Sequence, residues 1–366
     1  MKFRVGDGLL LLDSKDRLRI EVAVAGGEEI HSWPAASHFD TRSMDQMIPV
    51  GPISSGSFGG TLVDVFANPG TQFRFTGRKK DGARDVLAYS FRVPLKASHQ
   101  SVKAGNDWKV TGYSGSVRID AATAELGRMV IDTDQLPLES GMCRARTSTD
   151  YRYVLIGASE FPIPRQSELQ TFGVNSNQTN SVTAFSACHE YAAESSLRFD
   201  DQDGSANPER PVLPTKAALP PGVSLTLALV DPIDTGTAAA GDAVSARVSQ
   251  VVRAADSNEI LAPAGAIARG RVLQLRHQYT SSQFLISIRF DTLEMQGAVS
   301  PLAVTLNREL KTVKPRNQHG LQSRASEFAL PPQPMGETGS WFAFPATSGG
   351  YVIPAGFQST WTTVAQ

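Results

Sequence analysis

Charge, cysteine and long apolar runs are all scarce in this chain, and each scarcity excludes something. Charged residues make up 19% of the 366 residues, and the formal net charge is −1. The usual charged share is roughly 25%. A chain so near neutrality offers no global attraction to nucleic acid or to an acidic membrane surface. Two cysteines, Cys143 and Cys188, are too few for a disulfide-rich scaffold. Apolar runs such as 9–12 and 225–230 fall far short of the roughly 18 residues that cross a bilayer as a helix. Residues 1–8 hold no apolar core of the length a secretion leader carries. Strand-like sequence begins at Leu9 with no cap or helix before it, so the chain reads as one that starts in mid-fold, its natural N-terminus lying further upstream.

Catalytic motifs are missing as well. There is no G-x-x-x-x-G-K-[ST] phosphate loop and no G-x-S-x-G elbow. The nearest approach to the elbow, Gly112-Tyr113-Ser114-Gly115, lies inside strand-like sequence and reads as a bulge. Gly56-Ser57-Phe58-Gly59-Gly60 lacks the lysine an anion loop needs. The histidines, His31, His38, His99, His189, His277 and His319, have no metal-ligand spacing to one another or to a cysteine. Asp200, Asp201 and Asp203 miss the calcium-loop spacing and its closing glutamate. Asn177-Gln178-Thr179 fits a glycosylation acceptor but reads as a hairpin loop. No cofactor and no enzyme are predicted.

What is present is β patterning. With 31 glycines, 22 prolines and 41% hydrophobic residues, the chain has many turns and enough apolar mass for two packed domains. Residues 17–25 alternate, with Leu18, Ile20, Val22 and Val24 on one face, and 28–33 return after Gly26-Gly27. Residues 34–56 read as a loop. Residues 57–66 read as one short helix capped by Ser57 and stopped by Asn68-Pro69-Gly70. From 71 to 199 the pattern is β: a hairpin of 72–77 and 85–93 around Lys80-Asp81-Gly82, then strands at 108–119, 127–132, 147–156, 168–172 and 182–199. The segment 201–221 is a proline-rich linker. A second β module spans 223–307, a polar stretch covers 308–333, and 340–344 and 357–364 close the chain. Leu261-Ala262-Pro263-Ala264-Gly265 echoes Val352-Ile353-Pro354-Ala355-Gly356, each presenting an apolar residue and then turning the chain. Alone, the echo is too short to argue duplication.

The predicted architecture is therefore mainly β. A curved antiparallel sheet, a half-barrel with one short helix, occupies 1–200, and a small β-barrel module with added C-terminal strands occupies 222–366. Trp33, Phe58, Phe66, Phe73, Phe75 and Phe91 are expected to face inward between helix and sheet. There they form either plain core or the lining of an apolar ligand cavity. In the second module Arg269 and Arg271 share a strand face, which reads either as solvent-facing edge charge or as a contact for an anionic partner. Cys143 and Cys188 stand on strands one apart in a plain meander, about 9.5 Å between backbones, wider than a disulfide spans. The alternatives are two buried thiols or a bridge made possible by curvature, which would contribute about 4 kcal/mol.

Residues 222–306 resemble the β-barrel domain of TrbI-type conjugal-transfer and type IV secretion proteins. The resemblance is carried by Gly241-Asp242-Ala243-Val244, by Ile260 through Gly265, by Ala268-Arg269-Gly270-Arg271, and by Phe290-Asp291-Thr292-Leu293 before Gly297. Ala266 stands where that family has a hydroxyl residue. The whole chain is similar to uncharacterised bacterial cell-envelope proteins through residues 16–33, 58–66, 140–151 and 185–199, and its N-terminal architecture resembles the half-barrel of periplasmic lipoprotein carriers. These resemblances imply a periplasmic or envelope location and a non-enzymatic protein that binds an apolar or glycolipid ligand or a partner protein. A structural subunit of an envelope assembly is the alternative, and a hydrolase the third.

Overall fold

In the computed structural model, which describes residues 1–6, 9–25, 28–36, 39–48, 58–82, 84–188, 218–254, 256–307, 340–346 and 350–365, the chain is mainly β and its strands pair antiparallel, as the alternation predicts. It divides into two compact units. Unit 1 comprises Met1–Asp13, Glu21–Ser32 and His38–Phe199; unit 2 comprises Ser14–Ile20, Trp33–Ser37 and Asp200–Gln366. Two short N-terminal segments thus pack with the second unit, which a single cut near residue 200 did not foresee. The linker expected at 201–221 lies outside the described residues up to 217, and the polar stretch 308–333 lies wholly outside them.

In chain order unit 1 holds β1 (Lys2–Gly6), the first part of β2 (Leu9–Asp16), β3 (Glu21–Ala25), β4 (Glu28–Ser32), α1 (Met44–Met47), α2 (Gly60–Phe66), β5 (Gln72–Asp81), β6 (Arg84–Val93), β7 (Ser101–Ala104), β8 (Asp107–Val110), β9 (Tyr113–Asp120), β10 (Leu126–Thr133), β11 (Met142–Ile156), β12 (Ser159–Gly173) and β13 (Gln178–Ala184). Its main sheet runs β5–β6–β9–β10–β11–β12–β13–β1. β3–β4 and β7–β8 are separate hairpins. One face of the sheet carries Phe91 and Val93 from β6, Tyr113 and Val117 from β9, and Met129 and Ile131 from β10, all buried beneath Val65 of α2. These residues fall two or four apart along each strand, multiples of the period that places side chains on one face. Gly115 lies in the same face because nothing larger fits: a Cβ there would stand 2.0 Å from the Val130 carbonyl and 2.6 Å from the Phe91 ring.

The structure redraws several expected elements. The strand expected at 17–25 begins only at Glu21. The expected loop 34–56 contains α1. Ser57, the expected cap, lies outside the described residues, and the cap position of α2 is Gly59. The strand expected at 108–119 is two, β8 and β9, because β8 pairs locally with β7 while β9 pairs with β6 and β10. The chain changes partners at Thr111-Gly112, where Thr111 N–H donates to the Gln100 carbonyl. The strand expected at 182–199 ends at Ala184.

Unit 2 holds β14 (Ser224–Leu229), β15 (Ile233–Asp234), β16 (Ala243–Val248), β17 (Val252–Arg253), β18 (Ile260–Ala262), β19 (Ile267–Gln278), β20 (Gln283–Met295), β21 (Ala298–Pro301), β22 (Val304–Leu306), β23 (Ser340–Pro345), β24 (Val352–Ile353) and β25 (Gln358–Thr363). Pairing runs β22–β25–β14–β16–β19–β20–β23, and Ser14 to Asp16 of β2 adds to β19. Among the described residues no backbone ladder joins β22 to β23; the Leu306 N–H donates to Ser340 Oγ. Trp361, Phe290, Leu225, Ile286 and Leu293, each under 2% exposed, fill the middle.

A pseudo-two-fold relation organises this sheet. Leu227↔Val248, Ala228↔Arg247 and Leu229↔Ala246 pair symmetrically about their central pair. Adding 19 to the residue numbers carries Ser224–Leu229 onto Ala243–Val248, and Ile233–Asp234 onto Val252–Arg253. The sequence echo completes the relation. Gly356 N–H donates to the Leu229 carbonyl at 2.7 Å and Gly265 N–H to the Val248 carbonyl at 2.9 Å; Leu229 N–H returns to Phe357 at 3.0 Å and Val248 N–H to Ala266 at 2.8 Å. Both glycines take positive φ, 78° and 88°, which glycine adopts at little cost. Each Pro-x-Gly turn therefore does the same work in one half of the sheet.

Candidate functional site

The aromatic set separates into three places. Trp33 is buried in unit 2, beneath the Arg271 guanidinium at 5.5 Å. Phe58 packs on Phe185, with ring centroids 5.8 Å apart. Only Phe66, Phe73, Phe75 and Phe91 come together. Their rings form a chain, Phe66 to Phe73 at 5.6 Å, Phe73 to Phe91 at 5.9 Å and Phe91 to Tyr113 at 6.2 Å, with Phe75 on Tyr89 at 5.3 Å.

This group is not the inward lining that the sequence led us to expect. Phe91 is 3% exposed, but Phe66, Phe73 and Phe75 are 46%, 43% and 54% exposed. The reason is length. The seven residues of α2 make about 10 Å of helix, whereas the ten of β5 make about 33 Å of strand. The helix packs Val65 over β6, β9 and β10 and reaches β5 through Phe66, which leaves Phe73 and Phe75 about half exposed. The cavity found in unit 2, walled by Leu227, Phe290, Phe342 and Trp361 among others, measures about 10 Å³, room for about one water.

β5 is also an edge. Among the described residues it pairs with β6 alone, and its residues are exposed along almost the whole strand. A bulge between Phe75 and Gly77 resets its faces. Phe73 and Phe75 stand opposite Phe91 and Tyr89; beyond the bulge Arg78 and Lys80 stand opposite Leu87 and Asp85. Directly opposed residues share a face, so the bulge puts two cations on the face of the two phenylalanines. Arg74 and Lys79 take the other face. None of these four cations forms an ion pair among the described residues, and the strand's one carboxylate, Asp81, pairs with Arg118 at 3.6 Å.

So short a helix does not persist by itself, and side chains fix α2 in place. Glu29 Oε1, on buried β4, accepts from the Phe58 and Gly59 N–H groups at 2.8 and 3.2 Å. Asp64 accepts from the Tyr113 hydroxyl at 2.6 Å, from Asn68 at 3.2 Å, and its Oδ1 lies 2.7 Å from His99 Nδ1. Asn68 donates to the Ala97 carbonyl at 2.6 Å. Burial pushes the Asp64 carboxyl up, but the hydrogen bonds from Tyr113, His99 and Asn68 outweigh it and hold the group below its ordinary range. Burial first, and the Asp64 carboxylate second, push the Tyr113 hydroxyl well up, so it stays a donor. This cluster steadies Phe66 against Phe73. Sequence reasoning missed it, because Asp64 and Tyr113 lie 49 residues apart and no local pattern links them. The run Phe73-Arg74-Phe75-Thr76-Gly77-Arg78-Lys79-Lys80 was visible, but only as a hairpin arm.

The other expected sites are otherwise engaged. Arg269 forks onto the Glu294 carboxylate at 2.5 and 2.8 Å. Arg271 lies over Trp33 and 3.9 Å from Asp291. Each thus has a carboxylate neighbour within unit 2, that of Arg271 shared with Arg289 at 2.7 Å. Cys143 and Cys188 are free thiols, Cys143 exposed rather than buried, with β12 between their segments. Among the described residues no group of three or more His, Cys, Asp and Glu side chains is placed to hold a metal ion, and no helix is long and apolar enough to cross a membrane. Comparison with protein-family models, with curated proteins and with solved structures returns no significant match.

Proposed function

We propose that the chain is a binding protein rather than an enzyme, and that unit 1 holds a partner polypeptide by accepting an extended segment along the open edge of β5. The observation that carries this reading is a ten-residue edge strand with two phenylalanines about half exposed beside a third on α2. Strand addition uses the unpaired N–H and C=O groups of such an edge for affinity and its side-chain face for selection. The bulge and the cations are devices that discourage an edge from pairing indiscriminately. They do not explain the aromatic face, which a purely protected edge has no reason to expose. The resemblance of residues 222–306 to secretion-channel barrels supports a location in the cell envelope.

Site-specific photocross-linking in the cell that makes the protein tests the reading. A photoreactive phenylalanine analogue replaces Phe73 or Phe75, and in a control replaces Trp108, which is 52% exposed on β8. The expected result is a polypeptide adduct at 73 and 75 but not at 108. Adducts of lipid mass, or equal labelling at all three positions, would overturn it.

A further inference from the structure

Resting on the reading of β5 as a docking edge, we infer that the segment it accepts is an acidic polypeptide strand of mixed character, apolar where it crosses Phe73 and Phe75 and carboxylate-bearing where it crosses Arg78 and Lys80. The argument begins with charge. β5 carries Arg74, Arg78, Lys79 and Lys80 against Asp81, a balance of +4 − 1 = +3 in ten residues, in a chain whose overall formal charge is −1. The four cations have no ion-pair partner among the described residues, whereas Arg269, Arg276, Arg128 and Arg146 on other strands each have one. Cations left unmatched along an open edge oppose every neighbour except an acidic one, since like charges facing each other across a strand pair destabilise it.

That rule excludes a second copy of this chain as the occupant. Two β5 strands laid edge to edge would bring eight cations and two carboxylates into one ladder. The bulge adds register. Without it Gly77 and Lys79 would follow Phe75 on the aromatic face. With it Arg78 and Lys80 do. A pairing strand therefore meets two aromatic rings, then two cations, on a single face. Its own face alternates every second residue, which calls for two apolar side chains and two carboxylates at matching spacing.

Aromatic rings beside cations also describe a single-stranded nucleic-acid platform, where bases stack on open ring faces. Here the rings are already engaged. Phe73 sits between Phe66 and Phe91, with centroids 5.6 and 5.9 Å away, and Phe75 packs edge-on with Tyr89. Among the described residues β5 has no strand on its outer side, which further favours a polypeptide, because a strand can pair with its backbone.

The test uses the full chain and labelled synthetic decapeptides read by fluorescence anisotropy. One peptide alternates valine with threonine and then glutamate with threonine; a second has lysine in place of each glutamate; a third probe is a thymidine oligonucleotide of twenty nucleotides. The acidic peptide is expected to bind at least about tenfold more tightly than the lysine peptide, as two exposed charge pairs together allow, and to weaken with salt. In the double variant R78E/K80E the preference is expected to reverse, which also shows that the variant remains folded. Hydrogen exchange at residues 72–81 is expected to slow when the acidic peptide is bound. Equal binding of the two peptides would overturn the inferred chemistry. So would failure of both peptides to bind while the cross-links at 73 and 75 persist, and the docking reading would then stand without it. Loss of both binding and cross-links would overturn the docking reading itself. Tight binding of the oligonucleotide alone would assign the face to nucleic acid.

Discussion

Replacing Tyr113 by phenylalanine removes one hydroxyl from unit 1 and keeps the ring that fills its core. That hydroxyl donates to Asp64 Oδ2 at 2.6 Å from a residue 1% exposed. A hydrogen bond to an ionised partner contributes roughly 1.5–3 kcal/mol. The Asp64 side chain is 15% exposed and keeps its contacts with Asn68 and His99, so water replaces the lost donor only in part, and Tyr113→Phe is expected to cost about 2 kcal/mol at pH 7. For a unit of this size that is a fall of about 4–8 °C in Tm. The pH dependence is the sharper check. The Asp64 carboxyl titrates below its ordinary value in the folded protein, so its contribution is present above the unfolded value and is lost as pH falls through the folded one. The cost of Tyr113→Phe should shrink below about pH 4. The assay is urea unfolding followed by circular dichroism at pH 7 and pH 3, with hydrogen exchange at 60–67 reporting α2 itself. A cost under about 0.5 kcal/mol at pH 7, or one that does not change with pH, would refute the account of how the helix is held.

Gly270→Ala should destabilise unit 2 by about 3 kcal/mol, because a Cβ would stand 1.8 Å from the Arg289 carbonyl and 2.7 Å from Phe290 Cα, both backbone atoms that cannot turn aside. Gly265→Ala and Gly356→Ala meet open space at positive φ. Each should cost only about 1–2 kcal/mol, and equally, as the two-fold relation requires; urea midpoints of the three variants order them. Buried His31 lies 3.9 Å from Glu29. Burial lowers its pKa and the Glu29 charge only partly restores it. The unfolded chain therefore takes up this proton first, and stability falls as pH drops from about 6.5 towards the lower folded value. His31→Gln should flatten that part of the urea-midpoint profile between pH 7.5 and 5.5, and an unchanged slope would refute the assignment.

Much of the strand map was legible because it depends on local chemistry. Lys80-Asp81-Gly82 turns the hairpin, with Gly82 at φ 62°, and the β10 to β13 meander follows the alternation of 126–184. The closing strands β23 and β25 fall where aromatic and β-branched residues alternate. The two Pro-x-Gly turns were visible as an echo, but their shared role was not, since it rests on hydrogen bonds to Leu229 and Val248, each more than fifteen residues away. The strand expected at 182–199 leaves the ladder although its partner β12 runs on to Ser159: Phe185 N–H still reaches the Arg165 carbonyl at 3.3 Å, and the backbone then turns at Ala187, φ 55°.

The sequence by itself determined the fold class and much of the strand map, because these follow from turn residues and the two-residue period of side chains. It also displayed the phenylalanines and cations of β5. Tertiary structure alone decided that those phenylalanines face water. Alternation tells which side chains share a face, but not whether anything long enough lies over it. Here a seven-residue helix, held by Glu29 at its entry and by Tyr113, His99 and the Ala97 carbonyl through Asp64 and Asn68, meets β5 through Phe66 and leaves Phe73 and Phe75 about half exposed.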